Sequence, residues 1–374
     1  MPSYGSPRRS VAMVLPYSPL KQLAGLEFAT VQAAKSLTGS GWTISMHSVG
    51  PSGCVDGVAI EGSDGFLTLA WKAAFSSSAI VHFMEIWPNW PTRWLQLAAG
   101  IVLRLRGRKV ATTVATFGNI TARTGSRLEA RLWGWINTRI VGLNPQQRDE
   151  LAALSVPTHT FRVCPRGVPD AFTPPSPSQR AAARTALTLP HDKILILFLG
   201  RFVRRKRVID LAEEWARKPA LTRDWLLVFV GSGEGNDDSV EPQLRALVHR
   251  NPESMMMRPW TNRPLHYLHA CDLFVLPSER EGQPNALLQA MACGLSVIVS
   301  PSPGLTHIVE NGSTGLHAQS LEDVLDAIAR LATHAEFRQR LGANAARYVT
   351  GAHTMRDVRR FHKGLYEEMS GPQS

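Results

Sequence analysis

The sequence predicts an α/β protein of two Rossmann-like domains in tandem, each with a mainly parallel sheet, and a ligand cleft between them. Three observations predict it. Short β-type runs alternate with longer helix-period segments from one end to the other. A Pro-rich passage over 165–190, containing Pro174-Pro175-Ser176-Pro177, breaks that alternation once. The apolar runs after the break are nearly continuous, as in strands covered by helices on both faces.

Taken in order, residues 11–15, 42–49, 79–83, 110–115 and 139–143 are expected strands of the first domain, with helical patterns in most of the intervals. The second set is 194–199, 225–230, 255–257, 272–276 and 295–299. The 374 residues, at about 150 per domain, suit two domains. The expected division is 1–172, 173–352, and a closing segment, 353–374, whose helical periodicity over 355–369 suits packing back on the first domain.

At 44% hydrophobic and 19% charged residues the composition is globular, which excludes a disordered or fibrous chain. Cys54, Cys164, Cys271 and Cys293 lie far apart with no Cys-x-x-Cys, so a reducing cytosol is expected and no metal site. Arg8-Arg9 before 11–15 resembles a secretion signal, but Pro16 ends the apolar run too early. The apolar stretch 95–103 is too short to span a bilayer, which takes about 20 residues. Net charge is +11, and 17 Lys and Arg against 9 Asp and Glu put +8 of it in residues 1–172. Such a surface attracts phosphorylated substrates, anionic lipid or nucleic acid, and no zinc, helix-turn-helix or RNA-binding signature supports the last.

Ligands of open α/β sheets bind beyond the carboxyl ends of the strands. After 194–199 comes Gly200-Arg201-Phe202-Val203-Arg204-Arg205-Lys206-Arg207, a surface loop whose glycine permits close approach and in which two cations about one helical turn apart can clamp a diphosphate, the alternative being a solvated basic loop. After 225–230 comes Gly231-Ser232-Gly233-Glu234-Gly235, which lacks the Gly-x-Gly-x-x-Gly spacing of a dinucleotide fingerprint. After 272–276 comes the segment 277–294, in which Glu281 and Gly282 precede Pro284, where a helix can begin and offer free amides to an anion. Gln289 follows about one turn into that helix, so it and Glu281 can both bond hydroxyls of one ligand. Cations for phosphates beside an acid for hydroxyls describe a sugar nucleotide.

Gly200-Arg201 with Lys206, Gly231-Ser232-Gly233, Pro277-Ser278-x-x-Glu281-Gly282 and the glycines Gly304, Gly312 and Gly315 resemble the retaining glycosyltransferases of family 4, which share the GT-B fold. The resemblance covers nearly all of 190–350, and Arg166-Gly167-Val168-Pro169-Asp170 is similar to the family's entry into its interdomain linker. It implies that Arg201, Lys206 and Gly25 hold the donor diphosphate, that Glu281 is the catalytic-site acid contacting the donor sugar, and that Gln289 and Gly231 face the ribose. Gly282, Asn285, Ala286 and Leu287 would form the donor loop. It also implies transfer of a sugar to a hydroxyl acceptor, with neither cofactor nor metal; the sequence has no Asp-x-Asp.

Three positions depart from the family. Gln289 stands where a second glutamate is usual, Gly118 is the best match to a position usually held by histidine, and of a usual glycine pair only Gly25 is present, preceded by Ala24. Gly118 and Gln289 together suit the alternative of a nucleotide-sugar-binding protein without turnover. His82 fits a hydrogen-bonded core residue more readily than a catalytic group. Seven of ten tryptophans precede residue 136. Trp87, Trp90 and Trp94, with Arg123, Arg127 and Arg131 at helical spacing, suit either a core with a solvated face or an anionic membrane surface. The function expected is assembly of cell-surface polysaccharide or glycolipid by a cytoplasmic, peripheral enzyme, with a lipid-linked acceptor among the candidates.

Overall fold

The computed structural model describes residues 9–20, 25–114, 127–219 and 223–371. Gly118 and Arg123 lie outside them, as does the side chain of Arg127. The chain divides into two compact units, Met1–Gly167 with Met355–Ser374, and Val168–Thr354.

In the first unit the strands are β1 (Ser10–Leu15), β2 (Thr43–Val49), β3 (Gly53–Val55), β4 (Val58–Ser63), β5 (Ile80–Phe83), β6 (Lys109–Val114), β7 (Arg139–Gly142) and β8 (Phe161–Val163). They lie in the order β3-β4-β2-β1-β5-β6-β7-β8, parallel except for β3, which pairs antiparallel with β4. Alternation along β1 sends Val11, Met13 and Leu15 to one face and Ala12 and Val14 to the other. The first face is covered by helix Gly25–Ser36, through Val31 and Ala34, and by helix Met355–Ser370, through Leu365, Tyr366 and Met369. The second is covered by helices Phe66–Ala74 and Trp90–Leu105.

Helix Trp90–Leu105 starts where Asn89 accepts from the Thr92 amide and Pro91 occupies the first turn. The apolar stretch 95–103 is its inner side, with Leu97, Ala99 and Leu103 buried. Trp87, expected beside Trp90 and Trp94, is instead fully buried against Phe66 and Phe83, because it precedes the cap while the other two follow it on the outer side. His82 is likewise core. Its Nδ1 lies 2.9 Å from the Tyr366 hydroxyl and its Nε2 2.8 Å from Thr113 Oγ1, and burial pulls its pKa down to about 3, with the charge of His362 adding to the shift.

In the second unit β9 (Ile194–Leu199), β10 (Trp225–Val230), β11 (Met255–Arg258), β12 (Leu273–Leu276), β13 (Ser296–Val299) and β14 (Leu316–His317) form a parallel sheet in the order β11-β10-β9-β12-β13-β14. The Pro-rich passage is no free linker. Ser176 and Gln179 form a capping box, Pro177 sits at the first helical position, and helix Pro177–Ala186 follows. Its Arg184, buried, donates to Asp272 Oδ2 at 2.7 Å, and the same oxygen accepts from the Leu195 amide at 2.8 Å. The division between units falls at Gly167 rather than 172, since the Val168 amide donates to the His353 carbonyl at 2.8 Å and Phe172 packs on the second core. Val168 also bridges Thr354, which carries the second unit to that residue.

Tyr366→Phe keeps the ring's volume but strips buried His82 of a partner. We expect the first unit to lose about 1–3 kcal/mol, seen as an earlier urea transition for that unit alone; an unchanged midpoint would mean that the bond carries no net stability.

Candidate functional site

Counted along the chain, the second sheet runs 3-2-1-4-5-6, and the order reverses between β9 and β12. Chains leaving those two strands head in opposite directions across the sheet, which opens a crevice at their carboxyl ends where ligands of this architecture bind. β9 leads into Gly200-Arg201 and a 3-10 turn, Arg204–Lys206, before helix Val208–Ala216. β12 leads into 277–284 and helix Asn285–Ala292.

The two loops are tied together. The Glu279 amide donates to the Arg205 carbonyl at 3.0 Å, and Arg205 Nη1 donates to the Arg280 carbonyl at 3.3 Å. Lys206 Nζ donates to Glu281 Oε1, both side chains buried, and Arg205 Nη1 stands 3.9 Å from the same oxygen. Burial lowers the pKa of Lys206, the Glu281 carboxylate opposes that shift, and the neighbouring Arg205 and Arg201 charges reinforce it. Lys206 therefore does not lie on an open surface loop as expected; its charge is sheltered and held by Glu281.

Close backbone contacts leave this crevice little freedom. A Cβ on Gly231, after β10, would stand 1.9 Å from the Gly200 carbonyl oxygen, and one on Gly304 would stand 1.9 Å from that of Glu281. Glycine at 231 lets the ends of β9 and β10 touch, and glycine at 304 lets the chain brace the backbone of Glu281 and Gly282. The Phe202 amide donates to Ser232 and the Gly231 amide to Arg258, which joins the loops after β9, β10 and β11.

Sequence reasoning missed two residues that set this geometry. Asn236 Oδ1 accepts from Arg201 Nη1 at 3.1 Å, fixing the exposed guanidinium. Glu241 accepts from the Gly233 amide at 2.6 Å and from Ser232 Oγ at 3.1 Å, and the Gly233 bond leads the causes that lower its pKa. The only signal in the sequence was an acid opening a helix, Glu241-Pro242, seven residues or more from the groups it holds.

Of the expected donor loop, Gly282 lies between Glu281 and helix Asn285–Ala292, Asn285 and Ala286 open that helix, and Gln289 is buried within it. Leu287 has its side chain in the core, and its amide donates to the Pro284 carbonyl at 3.1 Å. Gly25 opens helix Gly25–Ser36 in the first unit, with a left-handed φ of 42° that other residues adopt only under strain. The second unit thus gathers Arg201, Arg205 and Lys206, the amino end of a helix, and a carboxylate, a set able to hold an anion beside a hydroxyl.

That set lies within a segment that matches a family model. Residues 179–348 match the family model described as Glycosyl transferases group 1. The group 1 segment takes in β9 to β14 and every second-unit site residue named above. A D-inositol 3-phosphate glycosyltransferase of Thermobifida fusca is 30% identical over 187 residues, 47% of this chain and 43% of that protein. The chain spans less than half the length of the curated relatives it matches first. Among solved structures, sucrose-phosphate synthase from Thermosynechococcus elongatus aligns with a TM-score of 0.78 at 20% identity, covering 96% of this chain and 99% of its own. Anabaena Alr3699/HepE, in complex with UDP and glucose, aligns with a TM-score of 0.79 at 14% identity, covering 95% and 98%. The fold is GT-B, with two mainly parallel sheets.

Gly231→Ala forces the ends of β9 and β10 apart against backbone, with no flexible side chain to yield. It should lower the melting temperature of the second unit by several degrees, the scale of about 1–3 kcal/mol of overpacking; a melting curve that matches wild type would refute the close approach.

Proposed function

We propose that the protein is a glycosyltransferase that moves a sugar from a nucleotide diphosphate donor to a hydroxyl acceptor, with retention at the anomeric carbon and without a metal. The observation that carries this reading is the Lys206–Glu281 pair at the reversal of strand order, with Arg201 fixed beside it. The group 1 match over the same residues supports it, as do the UDP and glucose bound in the Anabaena structure and the glycosyltransferase activity in the name of the Thermobifida relative.

In this reading the donor diphosphate lies against Arg201 and Lys206, which offset the charge growing on the leaving phosphate. Glu281 bonds a donor-sugar hydroxyl, Gln289 and Gly231 border the ribose, and Gly25 lets the first unit's backbone come near the phosphates. Retention without a protein nucleophile suits attack from the leaving-group side, the departing phosphate taking the acceptor's proton. The acceptor belongs to the assembly of cell-surface polysaccharide or glycolipid, a lipid-linked hydroxyl being one candidate.

Screening the purified protein against a panel of sugar nucleotides, first by thermal shift and then for product, tests the reading; no product with any donor and acceptor pair would reduce it to binding. Arg201 is exposed, so Arg201→Ala should leave the melting curve alone and cut transfer by at least about tenfold, the scale of one charge-assisted contact. Lys206→Ala is not so clean, because it strands buried Glu281 and should cost about 3–5 kcal/mol of stability. Wild-type transfer by Arg201→Ala would remove the diphosphate role.

The pH dependence has a defined sign. The charged form of Lys206 holds the phosphate, so donor affinity should be full below its lowered pKa and fall as pH rises through it. In Glu281→Gln the supporting carboxylate is gone, and the fall should begin at lower pH, as titration calorimetry across the alkaline range would show. Gln289→Glu is nearly isosteric and should bind donor as tightly or more tightly, since a carboxylate accepts ribose hydroxyls better than an amide; collapse of binding would mean that the amide's NH is needed.

A further inference from the structure

Helix Phe66–Ala74 is apolar on two sides. Leu69, Ala70, Ala73 and Ala74 face the core, while Leu67 and Trp71, with Phe75 just past the end, form an outward stripe at i, i+4 and i+8. Leu67 is 70% exposed and Trp71 66%. A helix that is apolar all round normally has neighbours all round, and this one lacks an outer cover among the described residues.

The stripe continues on the helices beside it. Helix Trp90–Leu105 packs against Phe66–Ala74, and its outer side shows Trp90, 63% exposed, and Trp94, one turn on, with Leu105 at the far end. The two run side by side in the same direction, since Arg106 after the second donates to the Ala74 carbonyl ending the first, and Phe66 at the start of the first touches Trp87 just ahead of the second. Helix Arg127–Ile136 packs on the other flank, where Gly100 lets Ile136 come close, and it carries exposed Trp135. The middle helix, with 16 residues, makes the face about 24 Å long.

The exposed charges carried by the three helices themselves have one sign, although Lys72 pairs with Glu61 of the neighbouring strand. Among the described residues of 66–109 and 127–136 the acidic side chains are Glu85 and Glu129, and both are buried, Glu129 against Arg93. Arg104, Arg106, Lys109 and Arg131 are exposed. Arg104 lies over the Trp135 ring at 4.7 Å and Arg106 over Phe75 at 5.5 Å, so the cations border the aromatic surface rather than standing apart from it.

We propose that this three-helix face docks on a bilayer bearing anionic lipid, its aromatic side chains lying at headgroup depth and its arginines meeting lipid phosphates. No helix among the described residues is long and apolar enough to cross a membrane, which suits a face that lies on the surface. A second copy of the chain fits the face poorly, since it would oppose like charges across the contact. The docking residues are therefore not the expected trio: Trp87 is core, and Leu67, Trp71 and Phe75 take its place.

The inference stands apart from sugar transfer and is tested without it. The full chain should cosediment with phosphatidylcholine vesicles containing phosphatidylglycerol, with a blue shift of tryptophan emission, and should release as salt rises; vesicles of phosphatidylcholine alone should hold it at least about tenfold less well. Trp71→Ala with Phe75→Ala, and separately Trp90→Ala with Trp94→Ala, should each lose at least about tenfold of that partition with melting curves and donor binding unchanged. Failure of wild type to bind anionic vesicles, or binding that both pairs leave intact, overturns the proposal. A dimer in sedimentation that the Trp71 and Phe75 pair abolishes would overturn it in favour of a second copy.

Discussion

A buried ammonium ion survives only beside its counter-charge, and in this protein that requirement joins two loops far apart in sequence. Lys206 and Glu281 leave neighbouring strands whose connections diverge, and their pairing closes the floor of the crevice that the divergence opens. Much else serves to keep them in register: Gly304 braces the backbone under Glu281, Glu279 bonds the turn that carries Lys206, and Arg184 with Asp272 fixes the edge where β12 begins. The cation is thus already desolvated and already placed, and its charge is shared with the carboxylate.

The first unit uses its charges differently. Arg93 and Glu129 pair between helices as a brace, while Arg104 and Arg106 lie over the exposed rings of Trp135 and Phe75.

Much of the architecture was legible in the sequence because two-sided burial leaves an unmistakable trace. The runs at 194–199 and 225–230 coincide with β9 and β10, every residue of β10 being buried. Strands β3, β4, β8 and β14 went unseen since they are short or lie near a sheet edge, where no continuous apolar run is required. The charged residues of the loops after the strands stood out by their place, but not that Lys206 and Glu281 bind each other across 75 positions, because each looked complete with a ligand of its own. Trp87 and Trp90 show the finest limit: three residues apart, they part company at the Asn89 cap, which sends one inward and the other out.

The helix Met355–Ser370 that covers β1 is made after the whole second unit, so the two units cannot be finished in the order in which they are begun. On a translating ribosome the second sheet can close while Val11, Met13 and Leu15 still lack the side chains of Leu365, Tyr366 and Met369. The half begun first is completed last, and until then its incomplete core is a surface that a chaperone would recognise.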